Sequence, residues 1–174
     1  MFDVAGKRVL ITGGAGLLGR QWAASFIAHG AIVDYFDLPQ SDVLSTDDLR
    51  AVCITDVPDV LICAAAIDVK PGIDAPDNPW AAWDSMLAVN LTGVKNSCEI
   101  IGGAMAEAGR GSIILVSSMY GMVSPDQRIY EAGFVKPAAY SATKGALYGL
   151  CRYLATLWGP KGVRVNCVSF GPMG

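Results

Sequence analysis

Three apolar runs without polar alternation mark the chain: Val9-Leu10-Ile11, Val60-Leu61-Ile62-Cys63 and Ile113-Ile114-Leu115-Val116. A strand with one wet face alternates apolar and polar positions. A run that does not alternate reads as a strand covered on both faces. The pattern predicts strands over Arg8–Thr12, Ile32–Phe36, Val60–Ala64, Ser112–Ser117 and Arg164–Val168. Longer stretches with helical spacing lie between them. They predict helices over Leu17–His29, Ser45–Val52, Pro79–Ala108 (continuous or broken) and Ala138–Trp158. Gly30 closes the first helix, and His29 reads as a helix-end cation rather than a metal ligand. Ser45 or Thr46 caps the second, with Asp47 and Asp48 in its first turn. Strands that alternate with helices, joined by right-handed crossovers, imply a doubly wound α/β fold. In that fold a parallel sheet carries helices on both faces.

Composition narrows the function classes. Hydrophobic residues make up 52% and charged residues 17% of 174 positions, which is a folded chain with one sizeable core. We therefore expect a single domain over residues 1–174. A net charge of −3 leaves no broad basic patch, so nucleic acid is not an expected partner. No apolar run approaches the ~20 residues of a membrane span. Met1–Gly6 has no basic region and no long apolar stretch, so no signal peptide is expected. The five cysteines are odd in number and include no C-x-x-C pair. This fits a reduced, cytoplasmic protein.

The segment Thr12-Gly13-Gly14-Ala15-Gly16-Leu17-Leu18-Gly19 follows a predicted strand and opens a predicted helix. Gly13 allows the tight turn, Gly16 lets the backbone approach a pyrophosphate, and Gly19 lets helix and strand pack closely. The free N–H groups and positive dipole end of the helix, from Leu17 and Leu18 onward, then face the phosphates. Asp37 ends the second strand, where an acid accepts hydrogen bonds from the adenosine ribose. Its charge would repel a 2′-phosphate, and no Arg or Lys follows before Arg50. The expected cofactor is NAD rather than NADP.

Tyr140 and Lys144 stand four apart on a predicted helix and so share one face. An ordinary tyrosine, with a pKa of about 10, is a poor base at neutral pH, and a neighbouring ammonium would favour its ionised form. They follow a strand ending in Ser117-Ser118.

This combination resembles the short-chain dehydrogenase/reductase family along the whole chain. Its signature is a glycine turn after the first strand, an Asn in the long helix, a Ser after a central strand, and Y-x-x-x-K. Asn90 lies in Val89-Asn90-Leu91-Thr92-Gly93, and Ser118 in Val116-Ser117-Ser118-Met119-Tyr120-Gly121. Asn166 in Val165-Asn166-Cys167-Val168 resembles the segment before the family's P-G step. The resemblance implies a catalytic set of Asn90, Ser118, Tyr140 and Lys144, with Ser117 the rival of Ser118. Tyr140 is the general acid/base. Lys144 lowers its pKa and holds the nicotinamide ribose. Ser118 binds the substrate oxygen, and Asn90 supports a water that links Lys144 to solvent. Asp42-Val43 resembles the family's D-V pair beside the adenine. Cys63-Ala64-Ala65-Ala66 replaces its N-N-A-G, so Ala64, Ala65 and Ala66 join the cofactor set.

The resemblance also marks departures. Between Asp37 and Asp42 there is little room for the usual second helix and third strand, so that sheet edge should be shortened. The family's P-G step reads Phe170-Gly171-Pro172-Met173-Gly174, and relatives continue beyond it. We expect a Rossmann domain shortened at its C-terminal side. The glycine spacing G-x-x-G-x-x-G is that of the extended branch, whereas the segment from Asn90 through Asn166 resembles the compact dehydrogenases.

The expected function is hydride transfer between nicotinamide and an alcohol or carbonyl substrate. The alternatives are a sugar-nucleotide epimerase or dehydratase, and a non-catalytic dinucleotide-binding fragment. Two loops stand out, Lys70–Pro79 and Met119–Pro137. Tyr120 and Tyr130 in the second are packing or substrate-facing residues. Its Asp126, Gln127, Arg128 and Glu131 point to a hydroxyl-rich, sugar-like substrate. A homodimer or homotetramer through the last two helices is the expected assembly.

Overall fold

A computed structural model of the chain describes residues 3–54, 56–71 and 77–171. Expectations that fall on Met1, Phe2, part of the Lys70–Pro79 loop and Pro172–Gly174 lie outside the described residues.

The described strands are β1 (Arg8–Thr12), β2 (Ile32–Phe36), β3 (Val60–Cys63), β4 (Gly111–Ser118) and β5 (Val163–Phe170). They form one parallel sheet in the order β2-β1-β3-β4-β5. The sheet is covered on both faces, as the unbroken apolar runs predict. On one face Leu10, Leu61, Ile113 and Leu115 join a core with Leu49, Ile101, Met105 and Leu147. On the other, Val9, Ile11, Ile62 and Val116 pack around Ala23, with Trp22 and Phe26 alongside. Successive residues of β1 thus enter opposite cores, the period of two expected of a strand buried on both faces.

The helices are α1 (Leu17–Ala28), α2 (Thr46–Val52), α3 (residues 83–107) and α4 (Ala138–Trp158). Ser45 is the cap of α2: its hydroxyl accepts from the Asp48 N–H at 3.2 Å. Helix α1 stops at Ala28, and its cap residue His29 bonds the Ser25 carbonyl through Nδ1 at 2.8 Å. Gly30 follows at φ +82° and supplies the left-handed step.

Helix α3 differs most from expectation. It begins at Trp83 rather than Pro79, because Asn78 turns the chain by accepting the Trp80 and Ala81 N–H groups. It is continuous but not uniform. Wide π-helical turns over Ala88–Gly93 and Cys98–Gly102 separate α-helical turns over Trp83–Leu87, Val94–Ser97 and Gly103–Glu107. Such turns displace carbonyls from the usual ladder and recur at functional sites. Asn90 sits in the first of them.

Between β2 and α2 the described chain has only turns, so the shortened edge is as expected. β2 is that edge strand, with Ile32 and Tyr35 exposed. β5 is the other edge among the described strands. Beside it Trp22, Ile114, Val168 and Phe170 line an apolar groove of about 180 Å³.

Candidate active site

The order in which strands are added reverses at β1: β2 lies on one side of it and β3 on the other. In doubly wound folds the crevice at such a switch point takes the ligand. Here it holds a cavity of about 260 Å³, lined by Gly13, Gly16, Asp37, Asp42, Val43 and Ala64–Ile67. Most of the cofactor set expected from sequence converges on this cavity.

The glycine turn is built by close approach. Gly13 has φ +71°, and a Cβ on it would lie 2.7 Å from the Ala65 nitrogen. Its own N–H donates to the Phe36 carbonyl, which fixes the turn to β2. A Cβ on Gly19 would collide with the Gly13 carbonyl oxygen, so this glycine packs the helix onto the turn rather than onto a strand. Gly16 caps α1 without a side-chain bond. The first N–H groups of the helix, including those of Leu17 and Leu18, therefore lack intrahelical partners. Neither of these side chains lines the cavity, and Leu17 is exposed, so any role they have is through the backbone.

Asp37 does more than end a strand. One carboxylate oxygen accepts the Ala15 N–H at 2.8 Å and the other the Leu38 N–H at 2.9 Å. It thereby pins the glycine turn, and each oxygen keeps lone-pair capacity for a hydroxyl. Asp42 accepts the Leu44 N–H at 2.9 Å. Val43 is buried, and its carbonyl accepts from Asn96. Thr12, to which sequence reasoning assigned no role, ties β1 to the segment after β3. Its hydroxyl oxygen accepts the Ala64 and Ala65 N–H groups at 3.2 and 3.3 Å. Arg20 was also missed. It lines an adjoining cavity with Asp37, reaching it from α1 where a scan beyond Asp37 does not look.

The second group of residues surrounds Tyr140. Ser118 and Ser117 are now distinguished. The Ser117 hydroxyl donates to the Lys144 carbonyl at 2.8 Å and is committed to holding α4. Ser118 accepts the Tyr120 N–H and neighbours the Tyr140 phenol. Burial pushes that phenol above its ordinary value, the nearby Ser118 hydroxyl draws it down, and Asp68 and Tyr120 push it up.

Lys144 departs from expectation. Its ammonium lies 5.8 Å from the Tyr140 ring centroid and donates to the Val116 carbonyl at 2.8 Å. Burial pushes it down to about 8, while Asp68 and Cys167 favour its charge. Desolvation dominates both groups: it raises the phenol and lowers the ammonium.

Asn90 is fully buried, and its amide is clamped to one residue. Oδ1 accepts the Ile67 N–H at 2.8 Å and Nδ2 donates to the Ile67 carbonyl at 2.9 Å. It holds the cavity wall and makes no hydrogen bond to Lys144. The polar loop residues expected to face a sugar are largely spent within the loop. Asp126 and Arg128 pair with each other, and Gln127 bonds the Lys136 backbone in both directions. The Tyr130 hydroxyl donates to that of Tyr120 at 2.9 Å.

The family model described as enoyl-(acyl carrier protein) reductase matches residues 40–174. D-threitol dehydrogenase of Mycolicibacterium smegmatis is 31% identical over 97% of this chain and 70% of its own. A 3-alpha-(or 20-beta)-hydroxysteroid dehydrogenase of Mycobacterium tuberculosis is 32% identical over 95% of this chain and 68% of its own. A short-chain dehydrogenase from Leptospira borgpetersenii, solved with bound NAD+, superposes with a TM-score of 0.86 at 27% identity. It covers 99% of this chain and 73% of that one. The glycine turn at the sheet's switch point, the Ser118–Tyr140–Lys144 cluster and these relatives agree. The chain belongs to the short-chain dehydrogenase/reductase family, a nicotinamide-dinucleotide oxidoreductase on a Rossmann fold.

Proposed function

We propose that the protein interconverts a secondary alcohol and its carbonyl compound, with NAD as the cofactor. The observation that carries this reading is Tyr140, with Ser118 near its phenol and the Lys144 ammonium 5.8 Å from its ring centroid. The Gly13–Gly19 turn and the cavity beyond it fit a dinucleotide, because close packing at Gly13 and Gly19 keeps the turn compact while Gly13, Gly16 and Asp37 line the open crevice at the switch point. When bound, the nicotinamide supplies the hydride acceptor or donor. Gly13, Gly16, Asp42, Val43 and Ala64–Ala66 would hold the adenosine side, and the N–H groups of Leu17 and Leu18 the phosphates. Asp37 would accept the ribose hydroxyls, which favours NAD over NADP, although Arg20 stands beside it.

Tyr140 gives a proton to the carbonyl oxygen in reduction and takes one from the hydroxyl in oxidation. Ser118 donates to the same oxygen and stabilises charge that develops there. Lys144 orients the ribose and supplies a cation near the phenol. Asn90 acts through Ile67, keeping the cavity wall in place. The substrate class best supported is a small hydroxylated molecule of the polyol kind, by analogy with the threitol dehydrogenase. We also propose a homodimer or homotetramer through α3 and α4, where Tyr153 and Leu157 are exposed.

The test is absorbance at the reduced-nicotinamide band with NAD and a panel of polyols and secondary alcohols. Turnover is expected, and Tyr140→Phe should abolish it while leaving NADH binding within about twofold. A cofactor that stays bound with no net reduction would favour the epimerase reading suggested by the glycine spacing. Binding without turnover on any substrate would favour a non-catalytic role.

A further inference from the structure

Lys136 and Asp68 belong to no motif of the family, yet they stand beside the reacting phenol. Lys136 is among the few buried charged side chains of the described residues, with 7% exposure. Its ammonium lies 2.6 Å from both oxygens of Asp68, 3.4 Å from the Val69 carbonyl, and 4.6 Å from the Tyr140 ring centroid. It is thus nearer to that ring than Lys144 is. Burying an ammonium is costly unless it is paired, and here a carboxylate and a carbonyl complete its shell. A cation on the face of an aromatic ring also holds the ring in place. The backbone on either side is anchored: Asn90 clamps Ile67, next to Asp68, and Gln127 bonds the backbone of Lys136 at both its N–H and its carbonyl.

We propose that the Asp68–Lys136 ion pair is a positioning device for Tyr140, whose two opposed charges set the pH at which the phenol exchanges its proton. The proposal rests on the oxidoreductase reading of the Tyr140 site and adds a further pair of residues to it. The groups facing the phenol are Ser118 from β4, Lys144 from α4, Tyr120 and Tyr130 from the loop after β4, and Asp68 and Lys136. Of these, Asp68 and Lys136 are a matched pair, so removing either charge leaves the other uncompensated. A lone Lys136 cation favours the phenolate, and a lone Asp68 carboxylate opposes it.

The test compares Asp68→Asn, Lys136→Met, the double variant and Lys136→Arg. Two readouts are used: the pH profile of kcat/KM, and the 13Cζ NMR titration of labelled tyrosine, assigned with Tyr140→Phe. Asp68→Asn should move the Tyr140 midpoint down by about one pH unit, and Lys136→Met up by a similar amount. The double variant and Lys136→Arg should lie near the wild type. NADH affinity should stay within about twofold, since neither side chain lines the adenosine cavity. Midpoints that move in the same direction, or not at all, in the two single variants overturn the proposal. A purely structural pair would lower melting temperature in both without opposed shifts. If Asp68→Asn fails to fold, the contrast of Lys136→Met with Lys136→Arg and the double variant still decides. The NMR titration needs no turnover. Opposed shifts without activity would refute the oxidoreductase reading alone, and activity without opposed shifts would refute the ion-pair proposal alone.

Discussion

Replacing Lys144 with methionine should stabilise the fold near neutral pH while abolishing turnover. The side chain is 4% exposed, and its ammonium has the Val116 carbonyl as its hydrogen-bond acceptor. Burial brings its pKa from 10.5 to about 8. At about 1.4 kcal/mol per tenfold, that fall is a penalty of roughly 3 kcal/mol for the charged form. Methionine has nearly the same length and carries no charge. The lost bond to Val116 offsets about 1 kcal/mol of the gain. The variant should then be more stable by about 2 kcal/mol near pH 7. The sign with pH follows from linkage. Below about pH 8 the folded and unfolded wild type both carry the proton, and the penalty is fully present. Between about 8 and 10.5 the folded state has released it and the unfolded state has not, so wild-type stability rises with pH. The variant lacks this dependence. Its advantage should therefore shrink and reverse by about pH 10.5, where only the lost bond remains. Urea unfolding of both proteins across this range, without added nucleotide, measures the difference and cancels the titrating groups that do not interact with Lys144. A gap that is independent of pH, or a variant less stable at neutral pH, would refute the reasoning.

Gly13→Ala should destabilise by more than about 2 kcal/mol and weaken NADH binding, because the new methyl meets the Ala65 nitrogen at 2.7 Å on a backbone of φ +71°. Thermal melting and fluorescence titration check the two effects. Ser118→Ala should lower kcat by about a hundredfold with little change in stability. Ser117→Ala should do the reverse, costing about 1 kcal/mol in urea unfolding and leaving kcat within a small factor. Asn90→Ala should cost about 2–4 kcal/mol, since it leaves both polar groups of Ile67 unpaired, and should raise the Kd for NADH through the displaced cavity wall.

The parts of this molecule that were legible in its sequence are those governed by local periodicity. β1 and β3 could be read because both faces are covered, and the glycine turn because its position between β1 and α1 leaves little freedom. The π-helical turns of α3 were not legible, since residues at a spacing of three or four register equally well on a helix with or without them. The choice between Ser117 and Ser118 was within reach. Ser117 has the parity of Ile113 and Leu115, which face the core under α4, so a period of two already turns it toward that helix. The loop charges carry less information than their number suggests, because an acid and an arginine two apart can bond each other, as Asp126 and Arg128 do. Nothing local joins Asp68 to Lys136, 68 positions later in the chain; only the packed fold brings them together.

The segment from Ala64 to Val69 explains how a dinucleotide cavity and a proton-transfer residue are kept in register. It has no regular secondary structure, yet it lines the cavity at one end and approaches Tyr140 at the other. A free loop would place neither end within the fraction of an ångström that such chemistry needs. Three tethers from three elements supply the precision. Thr12 at the end of β1 holds Ala64 and Ala65, Asn90 in α3 holds Ile67, and Lys136 ahead of α4 holds Asp68. Each is made by a buried side chain and is costly to break. The missing Cβ of Gly13 is what allows the backbone of this segment to lie against the turn. The alanines in place of the family's N-N-A-G are therefore compatible with the site, because side chains outside the segment do the fastening.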